Sequence, residues 1–337
     1  MTTGSGKVRL ALLGCGGMMG QHAKRLQDHP DVEICGLCDV SEDVVRAFHA
    51  AHLSAVTPAP RHFTDPARMY EELAPDGVLI GTPHTQHCRQ GLQALAAGCH
   101  VFMEKPMVTE LRDAYALEQE VRRSGKILVI GYNTPCSPRF DYVRQAIRLR
   151  SLGNLELVTG FLSQDWMRAT AGKWRQDPAL SGGGQAYDSG AHLFNSLCWS
   201  VEKDVEEVFA YVDNRGTKVD INSVCSIRFA GGILANITVA GNSPGDGRFM
   251  AFIFDNGRIE IDGWSAAWIN VWKGKQKVED PGTQGMGALS PDHNFVDAIL
   301  GRAEPKTSVR NGVIQSQLME AFYESQRTGR PARPKKS

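Results

Sequence analysis

Through its first 130 residues the chain repeats one order of positions: a short apolar run, a turn, then a stretch with helical spacing. Val8, Leu10 and Leu12 alternate with Arg9, Ala11 and Leu13, and the glycines that follow stand where a buried parallel strand must turn. Further strands are predicted at Val32 to Cys38, Gly77 to Ile80, His100 to Met103 and Ile127 to Ile130. Helices are predicted at Met19 to Gln27, Glu42 to His52, Gln86 to Ala97 and Glu110 to Arg123, the last ended by Ser124-Gly125. Strand and helix in alternation imply a doubly wound parallel sheet covered by helices.

After Gly131 strands follow one another: Leu155 to Leu162, Val205 to Val212, Ser223 to Phe229, Ile233 to Val239, Phe249 to Phe254, Arg258 to Ile261 and Trp268 to Trp272. Gly231-Gly232 and Asn256-Gly257 suit two-residue hairpins, which need positive φ. The expected result is an α+β domain on a large open, mainly antiparallel sheet, with boundaries at 1–130 and 131–337. Helices Pro291 to Leu300 and Val309 to Gln326 are expected to cover one face, leaving the other apolar face to a second subunit. The basic, proline-rich tail Arg330 to Ser337 is expected to be disordered and solvated. No internal repeat is visible.

A chain of 337 residues suggests about two domains. Thirty-seven basic residues balance thirty-seven acidic ones, so no overall field recruits nucleic acid or an anionic membrane. Lys7 and Arg9 followed by Leu-Leu-Gly-Cys15 could be read as a lipoprotein signal. Only five residues, Leu10 to Gly14, separate Arg9 from Cys15, whereas an export signal needs an apolar core of roughly 7 to 15. The stretch is therefore read as a phosphate-binding turn, and a cytoplasmic location is expected. There the eight cysteines are reduced thiols. Cys35 and Cys38 form a C-x-x-C within a predicted strand, where residues three apart point to opposite faces. No metal site is expected.

Strand, glycine turn and helix in that order supply backbone N–H groups and a positive helix end for a diphosphate. Gly14 permits the tight turn and Gly16 the close approach; Gly17, Met18 and Met19 carry the same surface into the helix. The sixth position of G-x-G-x-x-G is Met19, with Gly20 one residue late, so a shifted helix is expected. Asp39, 25 residues after Gly14, ends the second strand and suits the adenine ribose hydroxyls. It would repel a 2′-phosphate, and no Lys or Arg occupies 40–45. NAD is favoured over NADP.

Gly81-Thr-Pro-His-Thr-Gln-His87 and Met103-Glu-Lys-Pro106 each follow a predicted strand, on the edge where open parallel sheets bind ligands. Lys105 there can donate to a substrate hydroxyl and favour a developing alkoxide. Residues 182–192 read Gly-Gly-Gly-Gln-Ala-Tyr-Asp-Ser-Gly-Ala-His. Asp188 and His192, four apart, would share a helical face. A carboxylate there can orient the imidazole as a base, although such a pair taken alone is more often a surface contact.

Gly14-Cys-Gly16, His22, Thr82-Pro83, Glu104-Lys105-Pro106, Gly131-Tyr132-Asn133 and Gly-Gly-Gly-x-x-x-Asp188-x-Gly190-x-His192 occur in this order over nearly the whole chain. The succession resembles the glucose-fructose oxidoreductase, inositol dehydrogenase and MocA family. The resemblance implies an N-terminal Rossmann domain, an open-sheet C-terminal domain, and dimers or tetramers formed through that sheet. It implies that Lys105 binds the reacting hydroxyl and the nicotinamide ribose, that His192 exchanges the proton and that Asp188 assists. In some members the lysine is the base, which leaves the division of labour open. Thr82, Pro83, His87 and Glu104 would line the nicotinamide side, and His84 stands where many relatives carry asparagine.

Family substrates are mostly sugars and cyclitols. Trp166 and Trp174 offer indole faces to a sugar ring, and Arg168 and Arg175 could pair with a carboxylate, sulfonate or phosphate. Plain loop packing serves each of these residues equally well. Tyr132 and Asn133, at the start of the second domain, could reach either ligand. The leading expectation is NAD-dependent oxidation of a secondary hydroxyl on a sugar, sugar derivative or cyclitol. The alternative is an NAD-retaining glycosidase working by transient oxidation and elimination. A non-catalytic nucleotide sensor would have no use for Lys105, Asp188 and His192 together.

Overall fold

The computed structural model describes residues 6–279, 281–283 and 290–335. Its first strands are β1 (Val8–Leu13), β2 (Val32–Cys38), β3 (Arg61–Phe63), β4 (Gly77–Ile80), β5 (His100–Met103) and β6 (Leu128–Ile130). There follow β7 (Leu155–Ser163), β8 (Val205–Asp213), β9 (Asn222–Phe229), β10 (Leu234–Ala240), β11 (Gly247–Phe254), β12 (Gly257–Ile261), β13 (Ile269–Lys273) and β14 (Gln276–Val278). The helices begin with α1 (Gly17–Leu26), α2 (Glu42–His52), α3 (Pro66–Leu73), α4 (His87–Ala96), α5 (Leu111–Ser124) and α6 (Pro138–Leu149). They continue with α7 (Trp166–Ala169), α8 (Pro178–Ser181), α9 (Ala191–Val201), α10 (Pro291–Ile299) and α11 (Val309–Thr328). Two compact units result. The first holds the chain up to Met107, Asp113–Gly131 and Ser290–Val309, and the second the remainder.

In the first unit six parallel strands lie in the order β3-β2-β1-β4-β5-β6. The order reverses between β1 and β4, and at that switch point strand ends leave a crevice for ligands. β1 and β4 are buried almost throughout, which is why they read as apolar runs. β3 had no legible pattern, since only Phe63 of its three residues is buried. The following helix did carry a start signal: Asp65 accepts from the Ala67 N–H and Pro66 opens α3. α10, expected on the antiparallel sheet, belongs to the first unit. Phe295 and Val296 pack there with Leu10, Leu12 and Phe102. An amphipathic pattern fixes that a face is buried, not which sheet buries it.

In the second unit the eight strands run β14-β13-β12-β11-β7-β10-β9-β8. All neighbours are antiparallel except β7 and β10, which pair in parallel. Gly231 and Gly232 turn at φ +88° and +86°, but Arg228 pairs with Leu234 and the Phe229 N–H donates to the Ile233 carbonyl at 2.9 Å, so the loop is the three residues 230–232 and not the expected two. The other expected turn is displaced by one residue, because Gly257 already pairs with Phe254 and the turn is Asp255-Asn256. α9 is buried along its whole length, among β-strand residues such as Val158 and Ile237, and α6 and α11 add Phe140, Val143, Leu318 and Phe322 to the same core. The opposite face of the sheet leaves Leu157, Phe161, Tyr211, Val224 and Leu234 exposed. The described part of the basic tail is attached, not free: Ala332 and Val208 exchange two backbone hydrogen bonds of 2.8 Å.

Candidate functional site

The glycine turn is built for close approach. Gly14 has φ +92°, and a Cβ there would lie 2.9 Å from the Gly81 backbone across the switch point. Gly16 and Gly17 are exposed, and a Cβ on either would meet nothing within 4 Å. Gly16 caps α1 without a side-chain hydrogen bond, no acidic residue lies in the first turn, and Lys24 and Arg25 occupy the last. The helix N-terminus is thus left uncapped and positive, and a diphosphate fits it. Met19, 1 % exposed, fills the space that Gly81 leaves: a Cβ on Gly81 would fall 2.9 Å from its terminal methyl. Gly20 lets α1 approach α2, since a Cβ on it would lie 2.8 Å from the His52 ring. Met18 points outward and is exposed.

Asp39 braces this turn. Its Oδ2 accepts from the Cys15 N–H at 2.8 Å and its Oδ1 from the Ser41 N–H at 3.4 Å. A carboxylate has about four acceptor directions, so further directions stay open to a ribose diol. The nearest basic residue in the sequence, Arg46, is engaged by Glu42 and Asp43. Burial, with Asp39 and Cys38 adding to it, pushes the Cys15 thiol up to about 12. Burial likewise lifts Cys35 to about 11 and Cys38 to about 12, so these thiols stay protonated at neutral pH. Among the described residues no group of three or more His, Cys, Asp or Glu could hold a metal ion.

Beyond β4, Thr82 donates through its hydroxyl to Gln90, and His87 is wholly buried. One ring nitrogen of His87 lies 3.0 Å from the Thr82 carbonyl and the other 2.9 Å from that of Pro106. Burial pushes the His87 pKa below its ordinary value while the two carbonyls pull it up, and a neutral ring, with one N–H, donates to only one of them. His84 is buried, its ring centroid 5.9 Å from that of His87. Pro83 and Lys105 are half-buried, and the Lys105–Pro106 peptide is cis. Glu104 is buried, with one oxygen 2.8 Å from His22 Nε2 and the other accepting from the Lys105 N–H at 3.2 Å.

In the second unit α9 begins at Ala191. Asp188 therefore lies in the turn before it and not, as expected, one helical turn from His192 on the same face. The Asp188 N–H instead donates to the Gly184 carbonyl at 2.9 Å. Its Oδ2 receives the Trp166 indole N–H at 2.8 Å and Arg175 Nε at 3.1 Å, and the Arg175 guanidinium stacks 4.5 Å above the Trp174 ring. Three expected residues, Trp166, Arg175 and, stacked on Arg175, Trp174, thus gather at the buried Asp188 carboxylate. Trp166 is 4 % exposed and acts as a support through its N–H more than as an open ring face. Arg168 is exposed and pairs with Asp165 at 3.5 Å. His192 sits in the first turn of α9, flanked by Trp264 at 4.0 Å and edge-on by Tyr132 at 5.6 Å. Tyr132 is fully buried and Asn133 exposed.

Two residues without any motif hold this segment. Asp220 is buried and accepts from the Gly184 N–H, the Ala186 N–H and the Tyr323 hydroxyl, each at 2.7 Å. A Cβ on Gly184 would lie 2.1 Å from the Asp220 carbonyl oxygen, which is why glycine stands there.

An uncapped glycine turn at the switch point of a doubly wound sheet, with an acid after the second strand, defines a dinucleotide-binding enzyme class. Residues 8–132 match the model of the oxidoreductase family with an NAD-binding Rossmann fold, and residues 140–263 match the GFO/IDH/MocA C-terminal domain. The chain belongs to the GFO/IDH/MocA family of oxidoreductases. It is 24% identical over 311 residues to 4-carboxy-2-hydroxymuconate-6-semialdehyde dehydrogenase from a Sphingobium species, covering 90% of this chain and 93% of that one. It is 23% identical over 361 residues to D-glucoside 3-dehydrogenase from Escherichia coli K12, covering 96% and 97%. A solved structure of the WlbA dehydrogenase from Bordetella pertussis, in complex with NADH and UDP-GlcNAcA, superposes with a TM-score of 0.87 over 100% of both chains at 23% identity. Among the described residues no helix is long and apolar enough to cross a membrane.

Proposed function

We propose that the protein transfers a hydride between a secondary hydroxyl of a sugar, sugar derivative or cyclitol and the nicotinamide of NAD. Bound NAD supplies the hydride acceptor or donor. Lys105 donates a hydrogen bond to the reacting oxygen and favours its developing negative charge. His192 takes the proton as the hydroxyl becomes a carbonyl and returns it in reverse. Asp188, fixed by Trp166 and Arg175, contacts the substrate and assists, and the outward guanidinium of Arg168 and the Arg175–Trp174 stack favour substrates that carry an anionic group beside a ring. The reading rests above all on the buried, doubly anchored Asp188 and the ring-flanked His192 in a chain of this oxidoreductase family. Asp39, with no Lys or Arg in 40–45, supports NAD over NADP.

The test is the absorbance of reduced nicotinamide with purified protein, NAD or NADP, and a panel of hexoses, uronic acids, sulfosugars and inositols. Turnover that disappears in Lys105→Ala and His192→Ala is the expected result. Silence across the panel together with cleavage of glycosides would replace this reading by redox-assisted elimination. For the assembly, we infer that a second copy of the chain covers the outer sheet face at Phe161, Tyr211 and Val224, giving a homodimer or homotetramer. Tyr211→Asp is expected to lower the sedimenting mass, and an unchanged monomer in both proteins would refute it.

A further inference from the structure

In the first unit four charged side chains from three segments meet on the inner side of α1. His22 is 1 % exposed, Asp292 at the start of α10 is 0 % exposed and Glu104 after β5 is 8 % exposed. Arg25 lies one turn beyond His22. His22 Nε2 is 2.8 Å from Glu104 Oε1, His22 Nδ1 is hydrogen-bonded to Asp292 Oδ1, and Arg25 Nε donates to Asp292 Oδ2. An ionised carboxylate only accepts, so an imidazole facing one on each side serves both with a proton on each nitrogen. Arg25 Nη2 lies 2.9 Å from Nδ1, but a nitrogen that donates to Asp292 has no lone pair left to offer, so Arg25 is held by Asp292. The Phe102 ring, at 5.0 Å, adds a neutral neighbour. Burial opposes charge on the His22 ring, yet the bonds to Asp292 and Glu104 outweigh it and push the pKa up to about 9. The series Arg25, Asp292, His22, Glu104 alternates in sign and ends on the backbone of Lys105, whose N–H reaches Glu104 Oε2 at 3.2 Å.

We propose that His22 and Asp292 are positioning residues for Lys105: Asp292 and Arg25 hold the His22 imidazolium, the imidazolium fixes Glu104, and Glu104 fixes the backbone of the lysine. Asp292 stands 270 residues beyond His22, so a late segment of the chain sets the geometry of the Glu104-Lys105-Pro106 turn. The inference rests on the reading of Lys105 as a catalytic residue. Neither His22 nor Asp292 touches substrate in this account.

The test joins two readouts on the full-length protein. In the cofactor-free wild type, NMR of the His22 ring is expected to show two ring protons through neutral pH. As the pH passes about 9, hydrogen exchange at the Lys105 amide, corrected for its intrinsic rate, should rise in step with loss of that proton. Asp292→Asn should produce the same faster exchange at neutral pH. In turnover, Asp292→Asn should lower kcat about tenfold with KM little changed, and should add no loss in a Lys105→Ala background, as expected of residues that act as a unit. A His22 ring that titrates near 6.5, a Lys105 amide indifferent to that charge, or losses that multiply would each overturn the proposal. If Asp292→Asn fails to fold, the wild-type titration decides alone. If Lys105→Ala turns over normally, the catalytic reading of Lys105 fails, while ring and amide still report whether the chain of charges holds its backbone.

Discussion

Asp292 in the first unit and Asp220 in the second are both buried and are oppositely served. Asp292 faces two cations, His22 and Arg25. Burial works against its charge, but His22 and Arg25 prevail and its pKa falls below the usual carboxylate value. Asp220 faces only neutral donors, two backbone N–H groups and a phenol. Here burial prevails and the pKa rises. The difference is one of means. Dipoles fix a loop without bringing a titrating partner, whereas cations make a buried charge favourable only while the partner keeps its proton.

Breaking the charged cluster should have the largest effect. Asp292→Ala strands His22 and Arg25 and is expected to destabilise the fold by about 3–5 kcal/mol, read from urea unfolding at neutral pH. Next comes pH. His22 has a folded-state value of about 9 against 6.5, a raised pKa, so its contribution is fully present below pH 6.5 and is lost as pH rises through about 9. The whole loss is on the order of 3 kcal/mol, and unfolding free energies of Asp292→Ala should lack most of it. Asp220 has the opposite sign to Asp292: its raised pKa adds stability below the ordinary carboxylate range, lost as pH climbs through the raised value.

The neutral cluster should yield less. Asp220→Asn keeps the shape but turns an amide N–H toward a backbone N–H, and a loss of about 1–3 kcal/mol is expected. Equal losses from Asp220→Asn and Asp292→Ala would remove the contrast between the two sites. The smallest stability effect belongs to Gly16→Ala, within about 0.5 kcal/mol, because the added methyl meets nothing within 4 Å. Binding of NAD should nevertheless weaken, since the methyl occupies the open surface assigned to the diphosphate. Calorimetry with NAD and a melting curve separate these two outcomes.

How far each region was legible follows from how local its signals are. β1, the glycine turn, α1 and Asp39 are contiguous or ordered along the chain, and their spacing survives as structure. Gly20 was legible as a late glycine, but its reason, the His52 ring, lies on another helix. Asp220, Tyr323, Asp292 and Trp264 carry no motif and come from segments 36 to 270 residues away from their partners, as Gly184, Tyr187, His22 and His192 show in the fold. His22 was part of the recognised succession, yet its partner could be found only once α10 was placed on the first unit. The place of Asp188 relative to His192 was not legible, because the glycines before α9 leave open where that helix starts.

We propose that Lys105 and His192 serve one proton and hydride transfer. It is tested most directly by single-turnover reduction of NAD in wild type, Lys105→Ala, His192→Ala and the double variant, with a substrate found in the panel. Groups acting in one step are strongly non-additive, so the double variant is expected to lose little more than the worse single one. Losses that multiply, or a full rate in either single variant, would contradict the account.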